Sequence, residues 1–303
     1  MIRVRFLGTA AARPTVRRNV SAIAVQREGQ SFLWDCGEGT QRQIMRFGTG
    51  FTFDHIFITH VHADHLLGLP GLLRTMGLQG REQGMTVYGP AGTEATLRAA
   101  VRLGAERPAF PVDVTGLAPG ARVDFAGWAV RAFRADHGVP ALGYALVEEA
   151  RPGRFDVEAA RRLGVPEGPL FGCLHRGEAV EVEGRTIRPD DVVGPPRPGR
   201  KVVYSGDSRP TREAVEMAMG ADMLIHEATF GADEGKRARE TRHSTAAEAA
   251  GVAARASVRE LLLTHISARY SETAARLVEQ ARAVFPASRV ARDGLDLEIG
   301  YRG

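Results

Sequence analysis

The chain has 303 residues, of which 44% are hydrophobic and 25% are charged, and its formal net charge is +4 with histidine neutral. These values are ordinary for a soluble globular protein with a substantial core, and no apolar stretch is long enough to span a membrane. The only cysteines are Cys36 and Cys173, which argues against a disulfide framework and predicts a protein of the reducing cytoplasm.

Hydrophobic periodicity predicts strands and helices along most of the chain. The opening strand at 2–7 lacks the charged and apolar regions of a signal peptide. Further elements are predicted as strands at 21–26, 31–35, 55–59 and 85–88, and helices at 40–47, 65–78 and 93–103. Short strands continue to 141–147, and the last third alternates strands at 201–205, 222–226, 260–264, 288–291 and 295–299 with helices at 211–219, 244–256 and 272–284. Runs of strands followed by this alternation predict an α/β sandwich with the sheets inside and the helices outside.

One segment interrupts this pattern. Residues 150–200 hold seven of the chain's 16 prolines together with many glycines. A short helix at 156–163 and a hairpin of 179–182 with 185–188 are predicted within it. We interpret residues 150–196, called the arm below, as a protrusion inserted between two core strands.

The segment from His60 to His65 holds three histidines and Asp64 within six residues, directly after a predicted strand, in a chain with nine histidines. On an extended backbone His60 and His62 face the same side, whereas Asp64 and His65 follow a turn. This spacing predicts two metal ions, and imidazole with carboxylate suits Zn²⁺, with Mn²⁺ or iron as alternatives. The simpler interpretation is a solvated polar loop.

Three further strand ends carry residues that can bind metal. His137 follows a strand at 130–133, Asp207 follows 202–206, and His265 follows 261–264. Because ligands on strand ends are held rigidly, we expect these side chains to converge with the His60–His65 segment at one sheet edge.

These residues in this order resemble the five-motif signature of the metallo-β-lactamase fold over nearly the whole chain, which implies one such domain of residues 1–303. The resemblance implies an αββα sandwich that binds two Zn²⁺ per subunit, with Mn²⁺ as the alternative. It assigns His60, His62 and His137 to one ion. It assigns Asp64, His65 and His265 to the other, with Asp207 and a hydroxide bridging the two. Two dications lower the pKa of a shared water and stabilise an in-line displacement, but the fold alone does not select the substrate.

Two short motifs resemble the ribonuclease Z family, the tRNA 3′-processing endoribonucleases. They are His226-Glu227-Ala228-Thr229 and His243-Ser244-Thr245. The resemblance implies that His243 protonates the leaving 3′-oxygen, a role that a leaving alkoxide requires, and Glu227 is the candidate that orients it. The alternatives are a helix-start residue for His243 and a core imidazole for His226.

The arm also resembles that family, whose exosite grips the tRNA elbow, and Gly168-Pro169-Leu170-Phe171 matches its Gly-Pro signature. Residues 150–200 hold nine arginines against eight acidic residues, so RNA binding would depend on a few positioned groups and on RNA shape. The candidates are Arg151, Arg154, Arg161 and Arg162. The alternative is a stabilising flap or a dimer contact.

The loop at 14–19 resembles a family loop of pattern P-x-K-x-R-N that contacts the acceptor end of tRNA. Pro14, Arg18 and Asn19 match, Val16 stands where the pattern has lysine, and Arg17 is the neighbouring positive charge. The departure at Val16 leaves the treatment of a 3′ CCA sequence open. Asp35 opens a further matching motif, in which it is expected to tie the metal loop in place by hydrogen bonds.

The sequence therefore predicts a zinc-dependent endoribonuclease that removes the 3′ trailer from precursor tRNA by two-metal hydroxide attack near the discriminator base. Asp64 is expected to assist as a proton acceptor. The expected partners are precursor tRNA and, as the resemblance implies, a second copy in a homodimer, with no DNA and no membrane. Two alternatives stay open: a dinuclear-metal phosphodiesterase, arylsulfatase-like or thioester hydrolase of small substrates, and a non-catalytic RNA-binding or metal-storage protein.

Overall fold

A computed structural model of the chain describes residues 1–104 and 107–302. The strands, in chain order, are β1 (Ile2–Gly8), β2 (Ala22–Arg27), β3 (Gln30–Trp34), β4 (His55–Phe57), β5 (Met85–Pro90), β6 (Val112–Leu117), β7 (Arg122–Phe125), β8 (Trp128–Arg134), β9 (Leu142–Glu148), β10 (Val180–Val182), β11 (Arg185–Ile187), β12 (Lys201–Tyr204), β13 (Met223–Glu227), β14 (Leu261–Thr264), β15 (Ser288–Val290) and β16 (Asp296–Ile299). The helices are α1 (Thr40–Arg46), α2 (Ala63–Leu66), α3 (Gly68–Leu78), α4 (Glu94–Arg102), α5 (Val157–Arg162), α6 (Pro169–His175), α7 (Arg212–Ala218), α8 (Gly235–Glu240), α9 (Ala246–Arg255) and α10 (Ala275–Arg282).

Two seven-stranded mixed sheets form the centre of the fold. The first has the order β16-β1-β2-β3-β4-β5-β6 and the second the order β15-β14-β13-β12-β9-β8-β7. Strands β3 to β6 pair in parallel, as do β12 to β15. The carboxyl ends of these parallel strands therefore lie at one edge of each sheet.

The inner faces of the sheets share a core rich in aromatic side chains. Phe32, Trp34 and Trp128 are each no more than 1% exposed, and Phe32 stacks on Trp128 with ring centroids 5.6 Å apart. Helices α1, α3 and α4 bury apolar residues against the outer face of the first sheet, and α7, α9 and α10 do so against the second. The predicted αββα sandwich is thus confirmed.

Most predicted elements are present, with boundaries shifted by one to three residues. The single helix predicted at 65–78 is wrong in detail, because the chain forms two helices that meet at Leu67. Helices α6 and α8 were not predicted. In α8, Ala238 is the one buried residue, so the sequence shows no apolar stripe. Helix α6 is only seven residues long and contains Gly172, which weakens its helical signal.

The chain divides into two compact units. One contains Met1–Val147 with Lys201–Gly303, and the other is Glu148–Arg200. The second unit has its own small core around Ala160, Leu174 and Ile187 and contains the β10–β11 hairpin, whose turn places Glu183 and Gly184 at positive φ. Among the residues that the structure describes, no helix has both the length and the apolar character needed to cross a bilayer.

Candidate metal centre and active site

The candidate site lies where strands of both sheets end. From the first sheet, β4 is followed by Thr59 and His60, and α2 begins after His62. From the second sheet come three separate connections. His137 follows β8, Asp207 follows β12, and His265 follows β14. The hydrophobic strands are anchored in the core, so their ends hold these polar side chains in fixed positions.

Three imidazoles form the first cluster. His60 Nε2 lies 3.0 Å from His62 Nδ1, and His137 Nε2 lies 3.3 Å from the same His62 atom. His60 is fully buried, whereas His62 is exposed at the rim. The cluster is therefore open to solvent on one side.

Asp64, His65 and His265 form the second cluster. His265 Nε2 lies 3.3 Å from Asp64 Oδ2 and 3.4 Å from His65 Nε2. Asp207 lies between the clusters, since its Oδ2 is 3.7 Å from His60 Nε2 and 3.2 Å from His265 Nε2. The seven side chains that were predicted as ligands are thus brought together.

In His65, His137 and His265 the ring nitrogen that faces away from the clusters is held by a hydrogen bond. His65 Nδ1 donates to Asp35 Oδ2 at 2.7 Å, His265 Nδ1 donates to Thr229 Oγ1 at 2.9 Å, and His137 Nδ1 donates to the Arg242 carbonyl at 3.1 Å. Each bond fixes the tautomer and the ring orientation and leaves Nε2 facing the cluster.

Asp35 is the central acceptor of this outer layer. It is fully buried and also accepts hydrogen bonds from the Thr59 amide at 2.7 Å, the Thr59 hydroxyl at 2.9 Å and the Tyr204 hydroxyl at 2.8 Å. Its backbone has a φ of 58°, a conformation that few residues other than glycine adopt.

The electrostatics of the site favour a cation. The Asp207 carboxyl has a pKa well below its usual value: burial opposes this, but His265 and His65 outweigh it. Burial alone would lower the pKa of His65, yet the carboxylates of Asp207 and Asp35 raise it well above the usual value. The pKa of His60 is lowered, mainly by burial and then by His65. One positive charge is thus favoured between the two carboxylates, at the position of His65 Nε2.

The donor set fits metal ions. Groups of three donors, among them His60, His62 and His137, place their ligand atoms within 4.8 Å of one another. Asp207 Oδ1 is buried and finds no hydrogen-bond donor among the described residues, which is costly unless a cation or a solvent molecule contacts it. Nitrogen and carboxylate donors in this ratio suit Zn²⁺.

His243 and Glu227 form a dyad beside the clusters. His243 Nδ1 donates to Glu227 Oε1 at 2.7 Å. The Glu227 carboxylate is fully buried and is fixed by the Ser208 amide at 3.1 Å and the Thr229 hydroxyl at 2.7 Å. Although burial opposes it, Glu227 raises the pKa of His243 to about 9. The imidazole is therefore protonated at neutral pH and can act as an acid.

His226 is separate from this dyad. It is fully buried, and its Nδ1 donates to the Glu227 carbonyl at 2.8 Å. Burial lowers its pKa, so it is a neutral core imidazole.

The loop at 9–19 contacts the metal centre through its backbone. The Ala12 amide donates to Asp64 Oδ2 at 2.8 Å. Arg18, predicted to contact RNA, is 9% exposed, and its guanidinium donates to Thr9 Oγ1 and to the Ala291 carbonyl, each at 2.7 Å. Asn19 donates to the Glu38 carbonyl at 2.7 Å. Both side chains therefore hold the loop in shape.

The other predicted RNA-binding residues lie at the surface or in the arm. Pro14 and Arg17 are exposed, and Arg17 pairs with Glu272 at 3.0 Å. Gly168 precedes α6 with a φ of 140°, and Pro169 is the first residue of that helix. Arg154 is exposed and Arg151 is half-buried.

Sequence reasoning did not identify Thr59, Thr229, Tyr204 and the Ala12 amide as parts of the site. Thr59 directly precedes His60 and Thr229 ends the His226 motif, so their positions beside predicted site residues gave a weak indication of a role in the site. Tyr204 and the Ala12 amide carried none, because their contacts depend on how the two sheets and the early loop meet.

The chain matches the beta-lactamase superfamily domain over residues 30–155 and 191–266. It is 52% identical to ribonuclease Z of Myxococcus xanthus, covering 100% of this chain and 99% of that protein. It is also 52% identical to ribonuclease Z of Natronomonas pharaonis, covering 99% and 98%. The crystal structure of human tRNase Z, short form, superposes with a TM-score of 0.71 at 28% identity, covering 98% of this chain and 99% of that chain.

Proposed function

The chain belongs to the ribonuclease Z family of the beta-lactamase superfamily, and on this basis we propose that it is a metal-dependent endoribonuclease that removes the 3′ trailer of precursor tRNA. The observation that carries the proposal is the convergence of seven ligand side chains beside the His243–Glu227 dyad. A scaffold for binding alone has no need of an acid beside the metal site.

We assign two Zn²⁺ ions to the site, held by the two clusters described above with Asp207 between them, and Mn²⁺ is the alternative. When bound, such ions supply Lewis acidity that activates water and stabilises negative charge on a phosphate. Asp64 is fixed by the Ala12 amide at 2.8 Å. The pKa of Asp64 is held below its usual value by His265 and His65, which outweigh the effect of burial. Asp64 is thus ionised and can accept a proton.

His243 serves as the acid for the leaving 3′-oxygen. Glu227 holds Nδ1, so the opposite ring nitrogen, Nε2, is the one available to donate. Glu227 is a positioning residue, since it acts through the imidazole and is itself fully buried. General acids of this kind contribute about 10²- to 10⁴-fold to the rate.

The arm supplies the distant contact with tRNA. Arg154 and Arg162 are exposed, whereas Arg161 is paired with Glu158 at 2.7 Å and Glu167 at 2.5 Å. We expect Arg154→Ala combined with Arg162→Ala to weaken precursor binding. Arg161→Ala is the matched control, because its charge is already neutralised within the arm.

A second copy of the chain completes the assembly. Met45, Leu67 and Leu78 are large apolar side chains that are 59%, 51% and 90% exposed, on or next to α1 and α3. Large apolar side chains that are exposed in this way support a homodimer that buries them. Leu78→Asp is expected to yield a monomer by light scattering. The two free cysteines support a cytoplasmic location.

The direct test is cleavage of a 3′-extended precursor tRNA by the zinc- or manganese-loaded protein, with sequencing of the product ends. We expect a cut near the discriminator base that leaves a 3′-hydroxyl on the tRNA. Hydrolysis of a small phosphodiester or thioester without any precursor cleavage would contradict the proposal. Asp207→Ala should abolish turnover while precursor still binds through the arm.

A further inference from the structure

We propose that the 3′ trailer leaves the metal centre through two adjoining cavities along β6, the open edge strand of the first sheet. This inference rests on the proposed function and extends it to the part of the substrate that is cut off. The ligand is a short single-stranded RNA, which needs apolar surface for its bases and positive charge for its phosphates.

The first cavity opens beside the metal centre and has a volume of about 650 Å³. His137 lines it together with apolar walls from Pro90, Leu117, Val139 and Pro140. Its charged residues balance: Arg242 pairs with Asp136 at 2.9 Å, and Arg134 lies in the same lining as Glu213. A neutral cavity with apolar walls suits a base and its ribose.

The second cavity has a volume of about 850 Å³ and continues along the same strand. Val112, Asp113, Val114 and Thr115 of β6 line it, whereas Leu117 of β6 lines the first cavity. Since β6 is the last strand of its sheet, this side is open. Six residues of strand span about 20 Å. Gly116, with the Glu94 carboxylate against it, lies between the two linings, and the RNA would cross this position on its way from the first cavity to the second.

The second cavity is positively charged. Arg98 and Arg102 of α4 and Arg107 line it, against the single acidic residue Asp113. Arg98 and Arg102 are exposed and lie one helical turn apart, a spacing at which like charges disfavour the helix. An anion bound between them relieves that repulsion, and arginine forks match phosphate geometry.

The direction of the RNA follows from the two clusters. The loop at 9–19 contains the segment 14–19, which resembles an acceptor-end loop, and it meets the cluster of Asp64, His65 and His265 through the Ala12 amide. The first cavity begins at His137, which belongs to the other cluster. RNA that lies over the loop and crosses both clusters therefore leaves past His137, and the part beyond the cut is the trailer.

The test compares one precursor tRNA with a trailer of a single nucleotide and with a trailer of about eight nucleotides. The variant is Arg98→Ala combined with Arg102→Ala, and Arg255→Ala is the control, an exposed arginine in the last turn of α9. We expect the double variant to lower kcat/KM several-fold for the long trailer only. Its salt dependence should also weaken by about 1.4 in log–log slope, since each lost phosphate contact on a single strand accounts for about 0.7.

The outcomes separate the two proposals. If the wild-type protein cleaves both precursors and the double variant matches it, or loses activity equally on both, the trailer path is wrong and the proposed function stands. If the wild-type protein cleaves neither precursor, the proposed function fails. The same melting temperature for both variants and the wild type would show that the arginines are not needed for folding.

Discussion

Asp35→Asn is the sharpest probe of how the fold holds the metal centre. Asn keeps the size of the side chain but replaces one acceptor oxygen with an NH₂ group. His65 Nδ1 and the Tyr204 hydroxyl both donate to Asp35 Oδ2, at 2.7 and 2.8 Å, in a fully buried position. If the NH₂ group takes the Oδ2 position, two buried donors lose their acceptor. If it takes the Oδ1 position, the Thr59 amide loses its acceptor, whereas the Thr59 hydroxyl keeps Oδ2 at 3.0 Å.

Each buried group left without a partner costs about 1–3 kcal/mol, so the first orientation costs about 2–6 kcal/mol and the second about 1–3 kcal/mol. Loss of the hydrogen bond that orients a metal-binding histidine also weakens metal affinity by about 10- to 100-fold. The assays are urea unfolding of the metal-free protein and zinc competition with a chromophoric chelator. Tyr204→Phe is the graded control, since it removes one donor and should cost about 1 kcal/mol. Wild-type stability and zinc retention in Asp35→Asn would refute the reasoning.

Three further predictions concern other parts of the molecule. Arg200 and Glu148 form a buried ion pair and are 2% and 7% exposed, so Arg200→Met should lower the free energy of unfolding by about 3–5 kcal/mol. The double variant Glu148→Leu with Arg200→Met should recover much of that loss in urea unfolding, and additive losses would contradict this. Burial raises the pKa of Cys36 to about 12, so only Cys173 should react with a thiol reagent in the native protein at pH 8. Two fast-reacting thiols at pH 8 would contradict the burial of Cys36. Because the Cys36 thiol ionises more readily in the unfolded chain, its contribution to stability should fall as pH rises from about 9 to 12. His243→Ala should slow precursor-tRNA cleavage by about 10²- to 10⁴-fold but spare a phosphodiester with a nitrophenol leaving group, which needs no acid; equal loss on both substrates would assign His243 another role.

The convergence of the candidate ligands could be predicted from the sequence because their positions obey local rules. His60, His62 and His65 lie within one short segment, and His137, Asp207 and His265 each follow a recognisable hydrophobic strand. The parallel arrangement of the strands then brings these ends to one edge. Strand and helix types followed in the same way from periodicity of the apolar residues.

Contacts that depend on tertiary packing could not be predicted. Arg18 carries the positive charge typical of an RNA-binding residue. Its guanidinium nevertheless points inward to Thr9 and the Ala291 carbonyl, which lie far apart in sequence. Tyr204 donates to Asp35 across the two sheets. Helix α8 lacks an apolar stripe, so hydrophobic periodicity cannot identify it. Its helical state depends on contacts with residues outside the helix.

The candidate metal ligands come from both sheets of the sandwich. His60, His62 and His65 follow β4 of the first sheet, and His137, Asp207 and His265 follow strands of the second. Bound ions would therefore link the two sheets that form the core. At a free metal concentration 100-fold above the dissociation constant, one site adds about 2.7 kcal/mol to the unfolding free energy. A lack of the bound metal would then shorten the lifetime of the folded protein as well as slow its turnover.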